Sequence, residues 1–238
     1  TRKFLTKLKP GTSLTVDPSL LAGLYPETTN VVLGVNPLPD LDLPSILSGL
    51  SRYPYGCAEQ TTSKAMPLLH VKALQSALRI SHAGPPADAV NKGVLRLLGM
   101  RSSSGGFGFW NSQSEAGVWI SAYVTDFLVD AKQAGYAVPQ AALDRALTRL
   151  SGLADIRYRF DRSPGGTDAA YALYVRAKAG VADPARVRRF GAQLPSMKPT
   201  SLGRAFVAAS RSAVGDRGRA RALFATIPMT TNARNDAH

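Results

Sequence analysis

The residues of this chain best suited to chemistry stand together in the run Tyr53-Pro54-Tyr55-Gly56-Cys57-Ala58-Glu59-Gln60-Thr61-Thr62. Cys57 is the single cysteine, and it follows a glycine at the start of a helical pattern. A thiol at a helix N-terminus meets the positive helix end and its unpaired N–H groups, the general setting of a nucleophilic cysteine. Gly56 permits a backbone conformation that other residues resist. Gln60 follows Cys57 by three residues, and positions i and i+3 share a face in a helical first turn. The spacing predicts that the Cys57 sulfur reaches the Gln60 side-chain carbonyl. Attack there with loss of ammonia gives an internal thioester, an activated acyl group stored in the protein. Such a bond needs shelter from water, and Tyr53 and Tyr55 are placed to supply part of it. Glu59 can orient Gln60 or interact with the helix N-terminus, the second being the plainer role.

Other groupings point less far. A lone cysteine is most often a buried, inert thiol. His70 could form a Cys–His nucleophile pair, but it lies 13 residues after Cys57 on the same segment, more than three helical turns away. Phe107, Phe109, Trp110, Trp119 and Tyr123 could line a binding pocket; packing is the simpler expectation. Asp126 and Asp130 are i,i+4 carboxylates with no third acidic ligand nearby, so they read as a solvated helix face. Gly105-Gly106-Phe107-Gly108 is no phosphate loop, since no Gly-Lys-Ser/Thr follows.

The elements that position these residues are mainly helical. Leu43, Ile46, Leu47 and Leu50 mark a short helix closed by Pro54 and Gly56. A long helix is expected over 59–80, kinked near Pro67, and another over 87–98. Helical pairs follow at 115–134 with 139–150, 167–179 with 184–190, and 201–212 with 217–225. The turn Ala134-Gly135-Tyr136-Ala137-Val138-Pro139 repeats as Ala179-Gly180-Val181-Ala182-Asp183-Pro184, and Ala83-Gly84-Pro85-Pro86 is a degenerate earlier copy. In each, Gly suits a left-handed C-cap and Pro the first turn of the next helix. Gly105-Gly106 and Gly165-Gly166 open the two units. Repeated helical pairs of this length imply an α/α solenoid, or one closed into a toroid. Residues 1–40 differ: alternation in Lys3–Leu8 and Ser13–Val16, the β-branched run Asn30–Val35 and frequent prolines suggest two or three strands joined by turns.

Composition narrows the partners. The chain has 238 residues, enough for one substantial core. Its apolar runs fall short of the roughly 20 residues a membrane-spanning helix needs. One cysteine excludes an internal disulfide and a cysteine zinc cluster, and three histidines argue against a histidine metal site. No cofactor is expected. The net charge is +13; from Ser151 to His238, 15 basic and 6 acidic residues give +9. This basic half could meet an anionic partner, but its arginines fall at helical spacing without a nucleic-acid motif, as on a solvated surface facing acidic parts of a larger protein. Thr1 in place of Met suggests a piece of a longer chain.

The run Pro-Tyr-Gly-Cys-x-Glu-Gln resembles the thioester signature of the α2-macroglobulin and complement family, and the fuller Tyr-Pro-Tyr-Gly-Cys-Ala-Glu-Gln-Thr-Thr-Ser is similar to its bacterial branch. The stretches Gly105–Trp110, Ala122–Leu128 and the Ala-Gly-Tyr-Ala-Val-Pro turn add to a resemblance over about residues 30 to 230. It implies an α/α toroid inserted between strands of a β-sandwich domain, with Cys57 and Gln60 as the thioester partners. It implies a trap: a protease cleaves a bait region elsewhere, the thioester is exposed, and a lysine amine of the attacker takes the acyl group. Members fast with hydroxyls carry a histidine on a later helix. No histidine lies between 83 and 237 here, which points to direct transfer to amines.

The expected architecture is therefore a mainly α fold, an α/α toroid of helical hairpins, incomplete because the family's toroid continues past Asn235-Asp236-Ala237-His238. Residues 1–40 are expected to be a β segment or linker of a neighbouring β-sandwich domain, and 41–238 the thioester domain. The expected role is protease inhibition by one stoichiometric acyl transfer, not enzymatic turnover. Expected partners are target proteases and other domains of the parent chain, with no nucleic acid, and the expected compartment is the periplasm, with a lipid anchor elsewhere in the parent. The alternatives are a toroid without its thioester that docks proteins or the cell envelope, and a toroidal carbohydrate-active enzyme. The latter wants two opposed carboxylates, and no convincing pair is present.

Overall fold

The computed structural model describes residues 4, 6–15, 17–29, 31, 56–70, 86–113, 115–154 and 166–228. The chain divides into two units, Thr1–Val35 and Asn36–His238. In the first, proline sets two short 3-10 turns, Pro18–Leu21 and Pro26–Thr28. Asp17 caps the former by accepting the Ser19 N–H at 2.7 Å. None of the described residues here lies in a strand. Strands need a ladder of paired backbone groups, and residues 6–15 instead carry a local turn in which the Thr12 N–H donates to the Lys9 carbonyl. Most of the Asn30–Val35 run lies outside the described residues.

The second unit is built of eight described helices: α1 (Ala58–Leu68), α2 (Pro86–Gly99), α3 (Val118–Gln133), α4 (Gln140–Leu153), α5 (Thr167–Lys178), α6 (Pro184–Gln193), α7 (Ser201–Ala213) and α8 (Arg217–Phe224). Helix α1 packs on α3, α3 on α5 and α5 on α7, while α2, α4, α6 and α8 pack beside them. This is the two-layered plan of an α/α toroid. The burial pattern follows the layers. Helix α3 buries ten residues around its circumference, among them Val124, Phe127 and Leu128. Helix α4 buries one stripe, Ala142, Leu143, Ala146, Leu147, Leu150 and Leu153, at the three-and-four spacing of a helix with one wet face.

Among the described residues one turn motif is used three times. After α3 the Gly135 N–H donates to the Lys132 carbonyl and the Tyr136 N–H to that of Ala131, with Gly135 left-handed at φ 87°. Gly180 does the same after α5 and Gly215 after α7, at φ 75° and 88°. These are Schellman ends, which reverse the chain sharply and use up orphan helix carbonyls. The third copy lacks the following proline, so the sequence pattern hid it.

Several ends differ from expectation. Helix α3 starts at Val118 rather than at 115, because Glu115 and Ala116 are bound elsewhere and Gly117 caps at φ 105°. Helix α6 continues to Gln193 and a 3-10 turn, Leu194–Met197. Helix α1 closes at Leu68, one residue after Pro67, with a turn at Leu69 and His70. The expected continuation to Ile80, the helix at 43–50 and the copy at 83–85 lie outside the described residues.

Candidate functional site

Cys57 is the N-cap of α1, with extended backbone at φ −67° and ψ 168°. From there its Sγ accepts the backbone N–H of Gln60 at 3.4 Å, and its own backbone N–H donates to Gln60 Oε1 at 3.3 Å. Two helix-end donors are thus satisfied reciprocally, a capping box with sulfur in the usual place of a hydroxyl. Cys57 is only 7% exposed. The cap turns the Gln60 side-chain oxygen to the Cys57 backbone N–H. The Cys57 N–H that holds Oε1 is a donor at the atom where negative charge would develop if sulfur attacked the amide carbon.

Neighbouring elements fix this turn. The Ala58 N–H, another orphan of the helix start, donates to the Phe109 carbonyl at 2.7 Å. Arg96 of α2 donates its Nε–H to the Gly56 carbonyl at 2.7 Å. A Cβ on Gly56 would lie 2.5 Å from Arg96 Nη2, so glycine here allows a close approach. Gly93 does likewise for the helices: a Cβ there would come 2.9 Å from Ala65 Cβ.

The loop carrying Phe109 is itself pinned. Phe107 is fully buried, bridges to Arg101, and donates its N–H to Ser121 Oγ at 3.2 Å. Arg149 of α4 grips both carboxylate oxygens of Glu115 at 2.9 Å. Glu115 also accepts the Ser104 hydroxyl at 2.9 Å. Gly106 makes room for that carboxylate, since a Cβ would stand 2.0 Å from Glu115 Oε1. Packing holds for Phe107 but not for its neighbours: Phe109 is 46% and Trp110 62% exposed. The Phe109 contribution is its backbone carbonyl.

Glu59 accepts the Ser63 hydroxyl at 2.8 Å, and Ser63 Oγ lies 3.0 Å from Tyr123 OH on α3. The Glu59–Ser63 half is an i,i+4 pair open to sequence reasoning; the Tyr123 half needed the packing of α1 on α3. Tyr123 begins a row of rings through Trp119, Tyr171, Phe206 and Tyr174, with centroids 4.5 to 6.5 Å apart.

Asp126 and Asp130 correct the expectation of a solvated face. Asp126 is 8% exposed. Lys178 of α5 binds Asp126 at 2.8 Å and also Asp130, and the Tyr171 hydroxyl donates to Asp126 at 2.8 Å. Burial opposes the Lys178 charge, but the bonds and charges of the two aspartates outweigh it and hold its pKa above the ordinary value. Burial, then the Asp126 charge, raises the Tyr171 pKa strongly. The helix α3 face meant for water is covered by α5, which the sequence period could not show.

Tyr53 and Tyr55 lie outside the described residues. His70 is exposed beyond the C-terminal end of α1, while Cys57 caps its start. Among the described residues no group of three His, Cys, Asp or Glu could hold a metal ion, and no helix is long and apolar enough to cross a membrane.

The chain matches the A-macroglobulin TED domain over residues 33–153. It belongs to the A-macroglobulin TED family. This TED is 35% identical over 180 residues, 74% of the chain, to an α2-macroglobulin of Escherichia coli K12, and 38% identical over 138 residues, 57% of the chain, to one of Xylella fastidiosa Temecula1. It spans only 10% and 8% of those proteins. Its fold matches native E. coli α2-macroglobulin from domain MG7 to the C-terminus, with a TM-score of 0.69 and 30% identity, covering 80% of this chain and 31% of that one. Salmonella α2-macroglobulin reacted with methylamine gives 0.70 and 28%, covering 81% and 13%. The E. coli protein activated by trypsin gives 0.62 and 31%, covering 73% and 13%. The TED is thus mainly α, an α/α toroid like theirs.

Proposed function

We propose that this TED stores an internal thioester between Cys57 and Gln60 and spends it once, as the covalent arm of a bacterial α2-macroglobulin-like protease inhibitor. The observation that carries this reading is the reciprocal pairing of the two residues across the cap. In forming the bond, Cys57 Sγ attacks the Gln60 amide carbon. Negative charge gathers on Oε1, where the Cys57 N–H already donates. The amide nitrogen leaves as ammonia, taking up the thiol proton. In transfer, an amine attacks the same carbon, the C–N bond forms, the C–S bond breaks, and Cys57 ends as a free thiol. The acyl group is consumed, so the reaction is stoichiometric and not enzymatic turnover.

The relatives named above support the partner class. One is a protein reacted with methylamine, a small amine, and another is activated by the protease trypsin. By that analogy the physiological amine is a lysine of an attacking protease, and other domains of a longer parent chain sense the attack. The proposed compartment is the periplasm. The test is the intact mass with and without methylamine. The untreated chain should be lighter than its sequence by one ammonia and resist alkylation. Methylamine should restore one alkylatable thiol. A chain of full mass whose Cys57 labels at once would overturn the reading.

A further inference from the structure

We propose that Arg96 is a positioning residue for acyl transfer, fixing the peptide unit whose N–H stabilises the charge that develops on Gln60 Oε1. The inference rests on the thioester reading above. The Gly56 carbonyl and the Cys57 N–H belong to one peptide unit, which is planar and, when trans, points them in opposite directions. At one end Arg96 donates its Nε–H to the Gly56 oxygen at 2.7 Å. At the other the Cys57 N–H donates to Gln60 Oε1 at 3.3 Å. The plane is thus held at both ends, and Arg96 reaches it from α2, 40 residues away in sequence. The guanidinium lies against Gly56 itself: a Cβ there would come 2.5 Å from Nη2, 2.7 Å from Cζ and 2.8 Å from Nε. Any side chain at position 56 would push Arg96 from its place. The next peptide unit is held as well, its Ala58 N–H donating to the Phe109 carbonyl at 2.7 Å and its Cys57 carbonyl accepting the Thr61 N–H at 2.9 Å. Of these four bonds, the one from Arg96 carries a formal charge.

The clamp has a chemical consequence. When an amine adds to the acyl carbon, a carbonyl electron pair moves onto Oε1. When that pair returns, the C–S bond breaks and its electrons pass to Cys57 Sγ. The sulfur takes up the proton that the attacking nitrogen loses, and the C–N bond remains. Between the two events the Cys57 N–H faces a negative charge on Oε1. A donor is most effective there when it is already aimed, because nothing then has to reorganise at the moment of reaction. Arg96 sets that aim by holding the far end of the same plane. Its bond is charge-assisted and so stronger than a neutral one. A cation on the carbonyl also polarises the peptide, which makes its N–H a better donor. Arg96 therefore acts through the Cys57 amide and not on the acyl carbon.

The test uses the full chain, with each variant's thioester verified by mass. It follows thiol release on adding methylamine, and the infrared band of the thioester carbonyl, identified as the band that methylamine removes. Arg96 is exposed, so Arg96→Met should leave the melting temperature nearly unchanged. It should release thiol roughly 10-fold more slowly, a fraction of the roughly 100- to 1,000-fold that losing such a donor outright costs. The carbonyl band should move to higher frequency, because a weaker hydrogen bond leaves more double-bond character in the C=O. Arg96→Lys keeps a cation at this position and should show the same two changes at smaller size; it carries the test if Arg96→Met does not form its thioester. A merely structural role would loosen the cap without moving the band. Release at the wild-type rate or faster, or an unmoved band, would overturn the assignment of Arg96 and leave the thioester reading intact. A wild type of full mass, with Cys57 labelled before methylamine, would overturn both.

Discussion

The Gln60 side-chain oxygen accepts the backbone N–H of Cys57, and the Cys57 sulfur accepts the backbone N–H of Gln60. The turn that starts the helix is therefore held by the same two side chains that the proposed thioester would join. Capping and the proposed chemistry use the same two side chains, so substitutions can separate them.

Cys57→Ser keeps an N-cap acceptor, and Gln60→Glu keeps the third-position partner of a capping box. Both variants should melt at or above the wild-type temperature and release no thiol with methylamine. Cys57→Ala loses the cap, at a cost of up to about 1 kcal/mol. In a full-length parent all three should lose covalent capture, read on a denaturing, reducing gel. His70→Ala should retain it, since His70 is exposed past the far end of α1.

Gly93→Ala sets a methyl 2.9 Å from Ala65 Cβ, an atom that no rotamer can move. Helices α1 and α2 must part, and denaturant unfolding should show a loss of about 1–3 kcal/mol. Gly152→Ala in α4 meets nothing within 4 Å. It should stabilise by about 0.5–1 kcal/mol through helix propensity and a less free unfolded chain.

The Tyr171 and Lys178 pKa values are both raised in the fold. Above the ordinary tyrosine value of about 10, the unfolded chain binds fewer protons than the folded one, so stability falls as pH rises. The Tyr171 contribution is complete below that pH and declines by about 1.4 kcal/mol per pH unit beyond it. Half-buried Lys178 adds a smaller, solvent-screened share in the same direction. Tyr171→Phe should flatten the alkaline limb of a stability-against-pH curve, and an unaltered limb would count against this cluster.

Glu115→Ala releases Arg149 and Ser104 from the loop that offers the Phe109 carbonyl. The pair is partly exposed, so the global cost should be only about 1 kcal/mol. The local effect should be larger: the Ala58 amide, which donates to that carbonyl, should exchange its hydrogen faster in the variant than in the wild type.

Local chemistry made much of this chain legible. The turns at Gly135 and Gly180 could be read because a left-handed C-cap asks for glycine and proline fits the next first turn. The Cys57–Gln60 pairing could be read because three residues is one helical face. These are short-range effects in which neighbouring residues decide the outcome. The tertiary structure decided what depends on residues far apart in sequence. Asp126 looked like a wet surface and is a buried anchor, because α5 brings Lys178 and Tyr171 to it. Phe109 looked like packing and acts through its carbonyl, because its loop crosses the start of α1. Tyr123 gave no sign of touching Ser63, sixty residues earlier. Periodicity marks which face of a helix is apolar, but the partners of its polar groups are set only when the layers close on one another.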